Sequence, residues 1–154
     1  MIEERPLPVS ALDVAAYILA KQPRDRPITA MKLQKLVYYS QAWALVWNEQ
    51  PLFKEKILAW SNGPIVRELY DLHRGAFHVN RLPQGDSKKL HAQQREAIDK
   101  ILEVYGNKSA QWLSDLTHRE DPWQEARKGL KSNERGNAEI TLASLEEYYS
   151  SIPE

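Results

Sequence analysis

Three side chains that could do acid–base or metal chemistry lie close together in the chain, at His118, Glu120 and Asp121. An imidazole beside carboxylates can act as a general acid and base, or it can hold a metal ion. The same residues also suit a helix end, where histidine interacts favourably with the dipole and Asp-Pro forms a turn. A metal-assisted hydrolase is therefore one hypothesis, and the interpretation as a helix end is the preferred one.

Other catalytic patterns are missing from the sequence. His73 and His78 are separated by a predicted helix end, so they share no face on which to hold a metal. No Gly-x-Ser-x-Gly occurs, and the run from Asn62 to Pro64 lacks the lysine and second glycine of a phosphate loop. The chain has no cysteine, which excludes disulfides, thiolate metal sites and cysteine nucleophiles. The sequence therefore predicts a protein that is not an enzyme and has no cofactor or metal.

The composition limits the class of partner. The chain has 154 residues, a length typical of one domain, here 1–154. Its 21 basic and 21 acidic residues cancel, whereas proteins that coat nucleic acid or anionic membranes need a basic surface. The N-terminus lacks a signal-peptide pattern, and no apolar run reaches the ~18 residues of a membrane span. We expect a cytoplasmic protein with no membrane partner.

The most informative segment is a predicted helix over about 29–47. Its apolar residues cover most of the circumference, which is typical of a helix buried at the centre of a fold. Lys32, Lys35 and Tyr39 fall on a narrow remaining strip, at helical spacing. The sequence predicts that this strip is exposed.

The remaining elements are predicted from caps, breakers and periodicity. Further helices are expected over about 10–21, 64–74, 91–105, from Ser109, over 123–130 and from Thr141, with a break at Asp121-Pro122. The prediction is a mainly α, compact single domain of about seven helices around the central helix, with at most a small β-hairpin near 52–61.

A second functional hypothesis is a winged-helix-like regulator that binds DNA. A helix, a loop with Arg24 and Arg26, a helix with Lys32 and Lys35, and then a hairpin follow the order of such a domain. A recognition helix needs a broad polar face, and this one is too apolar. The zero net charge also disfavours DNA as the partner.

The aromatic content favours a protein partner. Five tryptophans and seven tyrosines are more large amphipathic side chains than a small core readily buries. Tryptophan, tyrosine and arginine dominate the binding energy of protein interfaces. Tyr39, beside Lys35 on the predicted exposed strip, is the strongest candidate by position.

Several blocks of the sequence resemble a known family. They are the run from Lys32 to Trp43, Pro51–Phe53, Ala59-Trp60 with Asn62-Gly63-Pro64, Tyr70, Leu116–His118 and Pro122-Trp123. In this order and spacing they resemble the Panacea antitoxin domain, also called SocA-like or GepA-like after a phage-associated protein. The resemblance covers about 12–130, and the role of 131–154 is left open.

The resemblance implies a mostly helical antitoxin of a bacterial or phage toxin–antitoxin pair. Members neutralise a cognate toxin by direct binding, and some hand the toxin to a protease as adaptors, so a protease or chaperone is a further implied partner. The family has no established catalytic residues. A homo-oligomer is left open.

The candidate residues fall into two sets. The hypothetical partner contacts are Lys32, Lys35, Tyr39 and Trp43. The motif residues expected to be structural are Trp60, Asn62, Gly63, Pro64, Tyr70, His118, Pro122 and Trp123.

Trp123→Ala tests the structural interpretation of one motif residue. Removing a large core side chain leaves a cavity, so the free energy of unfolding should fall by roughly 3–5 kcal/mol. Urea unfolding followed by circular dichroism measures this loss. A loss below about 1 kcal/mol would place Trp123 on the surface.

Overall fold

One long helix lies at the centre of the fold, as the sequence predicts. The computed structural model describes residues 7–23 and 25–153. Within these residues the helices are α1 (Ala11–Ala20), α2 (Ala30–Asn48), α3 (Arg67–His73), α4 (Ala92–Tyr105), α5 (Ala110–Arg119), α6 (Asp121–Ala126) and α7 (Leu142–Ser150). The prediction of a mainly helical domain is confirmed.

The strands are short and form two small antiparallel sheets. They are β1 (Ile28–Thr29), β2 (Ile57–Trp60), β3 (Gly63–Val66), β4 (His78–Val79) and β5 (Glu139–Ile140). One sheet has the order β3-β2-β5, and β1 pairs with β4 in the other. Helices contribute more residues to the fold than both sheets together.

Helix α2 begins at a sequence-encoded cap and is buried along most of its length. The Thr29 side chain accepts a hydrogen bond from the Lys32 amide, which satisfies one free donor of the first turn. Every residue from Leu33 to Leu45 is buried. Helices α1, α4, α5, α7 and strand β3 pack around it. Most of the buried apolar side chains in the described part of the chain belong to one cluster, which includes those of this helix.

Polar side chains on α2 satisfy the backbone of neighbouring segments. Gln41 accepts hydrogen bonds from the Leu52 and Phe53 amides, at 2.7 and 3.3 Å, and donates to the Phe53 carbonyl at 2.8 Å. The Gln41 side chain thereby satisfies backbone groups of the segment after α2 that, among the described residues, no neighbouring strand pairs with. A buried polar group left unpaired costs about 1–3 kcal/mol, so this glutamine fixes the path of the chain.

The β-hairpin lies further along the chain than predicted. Strands β2 and β3 pair from Ile57↔Val66 to Trp60↔Gly63, so the hairpin occupies 57–66 instead of 52–61. Pro64 lies in β3 and not in the first turn of a helix, and α3 begins only at Arg67. Proline is tolerated there because β3 is an edge strand, where one side of the backbone has no strand partner.

Two other boundaries differ from the sequence predictions. Asp121 and Pro122 form the first turn of α6 and do not separate two helices as predicted. Proline is tolerated there because the backbone N–H groups of the first turn have no partner within the helix. The same helix ends at Ala126 instead of continuing to 130. The segment 76–90, between the helices predicted over 64–74 and 91–105, includes β4 and a short 3-10 helix at Ser87–Lys89.

Gly63 is the position in the hairpin that demands glycine. Its φ is +119°, and a Cβ placed there would lie 2.6 Å from Lys35 Cε and 3.3 Å from Thr117 Oγ1. Gly63→Ala should therefore lower the free energy of unfolding by about 2–4 kcal/mol, through backbone strain and overpacking together. Chemical denaturation measures the change.

Gly129→Ala is the matched control for this variant. Gly129 also has a positive φ, of +92°, but a Cβ added to it would meet no other atom within 4 Å. Only the strain remains, at about 1 kcal/mol. Equal losses in the two variants would show that Lys35 does not pack against Gly63.

Candidate functional site

The strip predicted to be exposed on α2 is buried. Lys35 and Tyr39 are 0% exposed and Trp43 is 7% exposed, while Lys32 is half-buried at the start of the helix. The prediction of an exposed strip is wrong for Lys35 and Tyr39, because the hairpin, α5 and α7 cover that side of α2. Direct partner contact through them stays untested, and it would require the fold to open.

Lys35 is an amine enclosed in the protein interior. Its Nζ has no hydrogen-bond partner among the described residues. Burial lowers the pKa of Lys35 to about 8, since the charged form loses its hydration. The end of the Lys35 side chain lies against Gly63, so this side chain packs beneath the hairpin.

Tyr39 belongs to a buried hydrogen-bond chain that ends on Glu120. One carboxylate oxygen of Glu120 accepts the Tyr39 hydroxyl at 2.6 Å and the Tyr149 hydroxyl at 2.8 Å. Tyr149 in turn lies 3.0 Å from the Tyr38 hydroxyl, which must donate since the Tyr149 proton is already used. Burial raises the pKa of Glu120, and the two tyrosine hydrogen bonds oppose that shift. The cluster links α2 and α7 to Glu120, the residue between α5 and α6, inside the core.

Trp43 is packed among aromatic rings. Its ring stacks on Trp47 with centroids 5.5 Å apart and meets the edge of Tyr149 at 5.4 Å. Such contacts account for its burial without a partner protein.

The turn of the hairpin is held by side chains of α5 and α6. His118 Nε2 donates to the Ser61 carbonyl at 3.1 Å, and Trp123 Nε1 donates to the Trp60 carbonyl at 2.8 Å. The rings of His118 and Trp123 are in edge-to-face contact, 4.2 Å between centroids. Motif residues that are distant in sequence thus meet at one turn.

The hydrolase hypothesis finds no common site. His118 faces the hairpin turn, whereas Glu120 faces the buried tyrosines. Among the residues that the structure describes, no three or more His, Asp or Glu side chains are grouped to hold a metal ion.

An open cleft lies on the outer side of the hairpin, between β2, α3 and the loop before β5. It has a volume of about 790 Å³. We call it the arginine cleft, because three of its lining residues are Arg67, Arg74 and Arg135. None of its lining residues is an aspartate or a glutamate. This concentration of positive charge stands out in a chain with no net charge.

The aromatic side of the arginine cleft consists of Trp60 and Tyr70, both half-buried. Their rings pack edge to face, 4.8 Å between centroids. Trp60 donates its indole N–H to Asn137 Oδ1 at 2.8 Å, and the Arg67 guanidinium lies 5.8 Å from the indole ring. The aromatic rings are therefore held in place from both sides of the cleft.

The base of the cleft is fixed by Gln34 on α2. Its amide accepts the Val66 N–H at 2.9 Å and donates to the Val66 carbonyl at 3.2 Å and to His73 Nε2 at 3.0 Å. Because His73 Nε2 accepts this bond, the ring is neutral with its proton on Nδ1. Burial is the main cause that lowers the pKa of His73, which agrees with a neutral ring.

The far wall of the cleft is held by Arg127. Its guanidinium donates to the Ala59 carbonyl of β2 at 2.9 Å and to the Lys131 carbonyl at 3.0 Å. It also donates to the Glu134 carbonyl, next to Arg135. A buried arginine with several carbonyl partners fixes the loop geometry. The loop that carries Arg135 is thus tied to the hairpin.

Sequence reasoning missed the arginines of this cleft. Arg67, Arg74 and Arg135 are separated by up to 68 positions in the chain and form no run or periodic pattern. Trp60 and Tyr70 are motif residues in the sequence. That both side chains line the same cleft becomes visible only in the folded structure. Predicting this cleft would require knowing that β2 pairs with both β3 and β5, and the sequence pattern does not show that pairing.

The DNA-binding alternative loses the exposed face that it required. Lys35 is buried, and Lys32 Nζ donates to the Gly106 carbonyl at 2.6 Å. Arg26 is exposed, while Arg24 lies outside the described residues. DNA binding by this chain stays a prediction, and the helix proposed to read the bases does not present Lys35 to a partner.

Comparison with known proteins places these elements in a family. Residues 33–124 match the family model described as Antitoxin SocA-like, Panacea domain. A curated relative, Antitoxin SocA of Caulobacter vibrioides (strain NA1000 / CB15N), is 27% identical over 146 residues, which cover 86% of this chain and 78% of the relative. No solved structure matches the chain. The family match runs from the first turn of α2 through the hairpin, α3, α4 and α5 into α6, and it does not reach the loop with Arg135.

Lys35→Met tests the enclosed amine. With its pKa lowered to about 8, folded Lys35 binds fewer protons than the unfolded chain as pH rises, so stability increases with pH. Between pH 7 and pH 9 the free energy of unfolding should rise by about 1 kcal/mol more in the wild type than in Lys35→Met. Urea unfolding at both pH values measures this difference.

Lys88→Met is the control, because Lys88 is exposed on the short 3-10 helix. Its difference from the wild type should be the same at both pH values. If Lys35→Met behaves like this control, Lys35 is solvated in solution.

Proposed function

This chain belongs to the SocA-like Panacea antitoxin family, and we propose that it neutralises a cognate toxin by binding the toxin protein directly. The observation that carries the proposal is the family match, which covers more than half of the chain and includes its central helix. The relative named Antitoxin SocA supports it over most of both lengths.

The geometry supports a binding role for the surface. The polar side chains of the interior, such as Gln34, Gln41 and Arg127, are engaged with backbone groups and hold loops in place. The arginine cleft, in contrast, exposes tryptophan, tyrosine and arginine together. These three residue types are enriched among the residues that dominate protein–protein affinity.

We further propose that the chain catalyses no reaction and acts in the cytoplasm. A protein without cysteine suits a reducing compartment. No helix within the described ranges is both long and apolar enough to cross a membrane. The adaptor role with a protease or chaperone, and a homo-oligomeric state, stay predictions.

Co-expression with the product of the adjacent gene tests the proposed function. That gene is placed under a foreign inducible promoter, so repression of its own promoter cannot explain protection. Induction alone should arrest growth, and co-expression of this chain should restore it. The two proteins should then elute together in size-exclusion chromatography.

A copy of the antitoxin gene with an early stop codon is the control, since it supplies the RNA without the protein. Growth arrest should persist with this copy. The proposal is contradicted if neither neighbouring gene product is toxic, or if toxicity continues in the presence of the folded chain.

A further inference from the structure

We propose that the arginine cleft is the toxin-binding site and that its occupant is a short acidic segment of the toxin. The inference rests on the proposed function and adds to it the surface used and the chemistry recognised. It concerns the outer side of the hairpin, between Trp60, Tyr70 and the three arginines.

The charge of the cleft selects an anionic partner. Arg67 already pairs with Asp71 on α3, at 3.1 Å. Arg74 and Arg135 are exposed, and within the described part of the chain neither forms an ion pair. Each guanidinium can therefore receive a carboxylate through two parallel hydrogen bonds. Among the residues that the structure describes, no acidic side chain lines the cleft to compete for them.

The aromatic rings of the cleft favour binding of a polypeptide segment over binding of a small inorganic anion. Trp60 and Tyr70 offer apolar surface directly beside the arginines, and Met31 adds a further exposed apolar side chain at 37% exposure. An acidic segment with one apolar or aromatic side chain satisfies both parts of the cleft. Nucleic acid is disfavoured, because its phosphates call for an extended basic surface and the chain has no net positive charge.

The cleft is preformed, which lowers the cost of binding. Gln34 fixes Val66 and His73 at its base, and Arg127 ties the loop before Arg135 to β2. These contacts lie within the protein, so the arrangement of the cleft does not depend on a ligand. A segment that binds a preformed site loses less free energy to ordering of the receptor.

The test is a charge reversal within the cleft, R74E/R135E, compared with R81E/K88E outside it. All four side chains are exposed, and both double variants change the net charge equally. Binding to the purified product of the adjacent gene is measured by isothermal titration calorimetry. R74E/R135E should raise the Kd by at least about 30-fold, whereas R81E/K88E should change it by less than about 3-fold.

A neutral variant and a salt titration show whether weaker binding comes from the loss of charge or from a loss of folding. R74Q/R135Q should raise the Kd at least about 10-fold, while its thermal unfolding midpoint stays within about 2 °C of the wild type. Raising NaCl from about 50 to about 500 mM should weaken the wild type more steeply than R74Q/R135Q, since the contacts are ionic. Chemical crosslinking of the complex identifies the acidic toxin residues that contact the cleft. Substituting lysine for these toxin residues should restore binding by R74E/R135E.

The outcomes distinguish the two proposals. If the wild type binds and neutralises the toxin and R74E/R135E does so equally well, the cleft proposal is overturned and the antitoxin function stands. If the wild type does not bind the adjacent gene product, the proposed function fails and this inference fails with it. If a fluorescein-labelled single-stranded oligonucleotide binds the wild type but not R74E/R135E, the cleft recognises nucleic acid and the acidic-segment proposal is overturned.

Discussion

The burial of helix α2 is the constraint on which the rest of the structure depends. A helix enclosed on nearly all sides must find internal partners for the polar side chains that it carries. Gln34 and Gln41 meet this requirement by pairing with backbone groups of the segments around them, and Tyr39 does so through Glu120. The helix therefore positions the loops as well as filling the core. Lys35 is the ionisable exception, and its lowered pKa is the consequence.

This constraint connects the interior to the surface where function is proposed. Gln34 holds both the last residue of the hairpin and His73, while Lys35 lies beneath the hairpin turn. Trp123 and His118 hold that turn from the other side. The outer face of the same hairpin presents Trp60 to the arginine cleft. A buried set of hydrogen bonds thus holds the hairpin whose outer face lines the cleft proposed for recognition.

The sequence predicts the local elements better than their arrangement. The helix starts predicted at about residue 10, at about residue 29 and at Ser109 are confirmed by side-chain caps at Ser10, Thr29 and Ser109, because capping depends only on near neighbours in the chain. The prediction of an exposed strip on α2 is wrong, since helical periodicity shows which residues share a face but not what covers it. The hairpin lies later than predicted because Pro64 suits a helix start as well as an edge strand. The cleft arginines become neighbours only through strand pairing over long separations.

Hydrogen–deuterium exchange of this chain, alone and bound to the toxin, tests most directly whether a rigid core presents the arginine cleft to the partner. We expect binding to slow exchange at 60–62, 67–74 and 134–137, which border the cleft. Backbone amides along α2 should already exchange slowly in the free protein and change little. Protection confined to the exposed surface around Val104 and Trp112, with the cleft unchanged, would contradict this assignment.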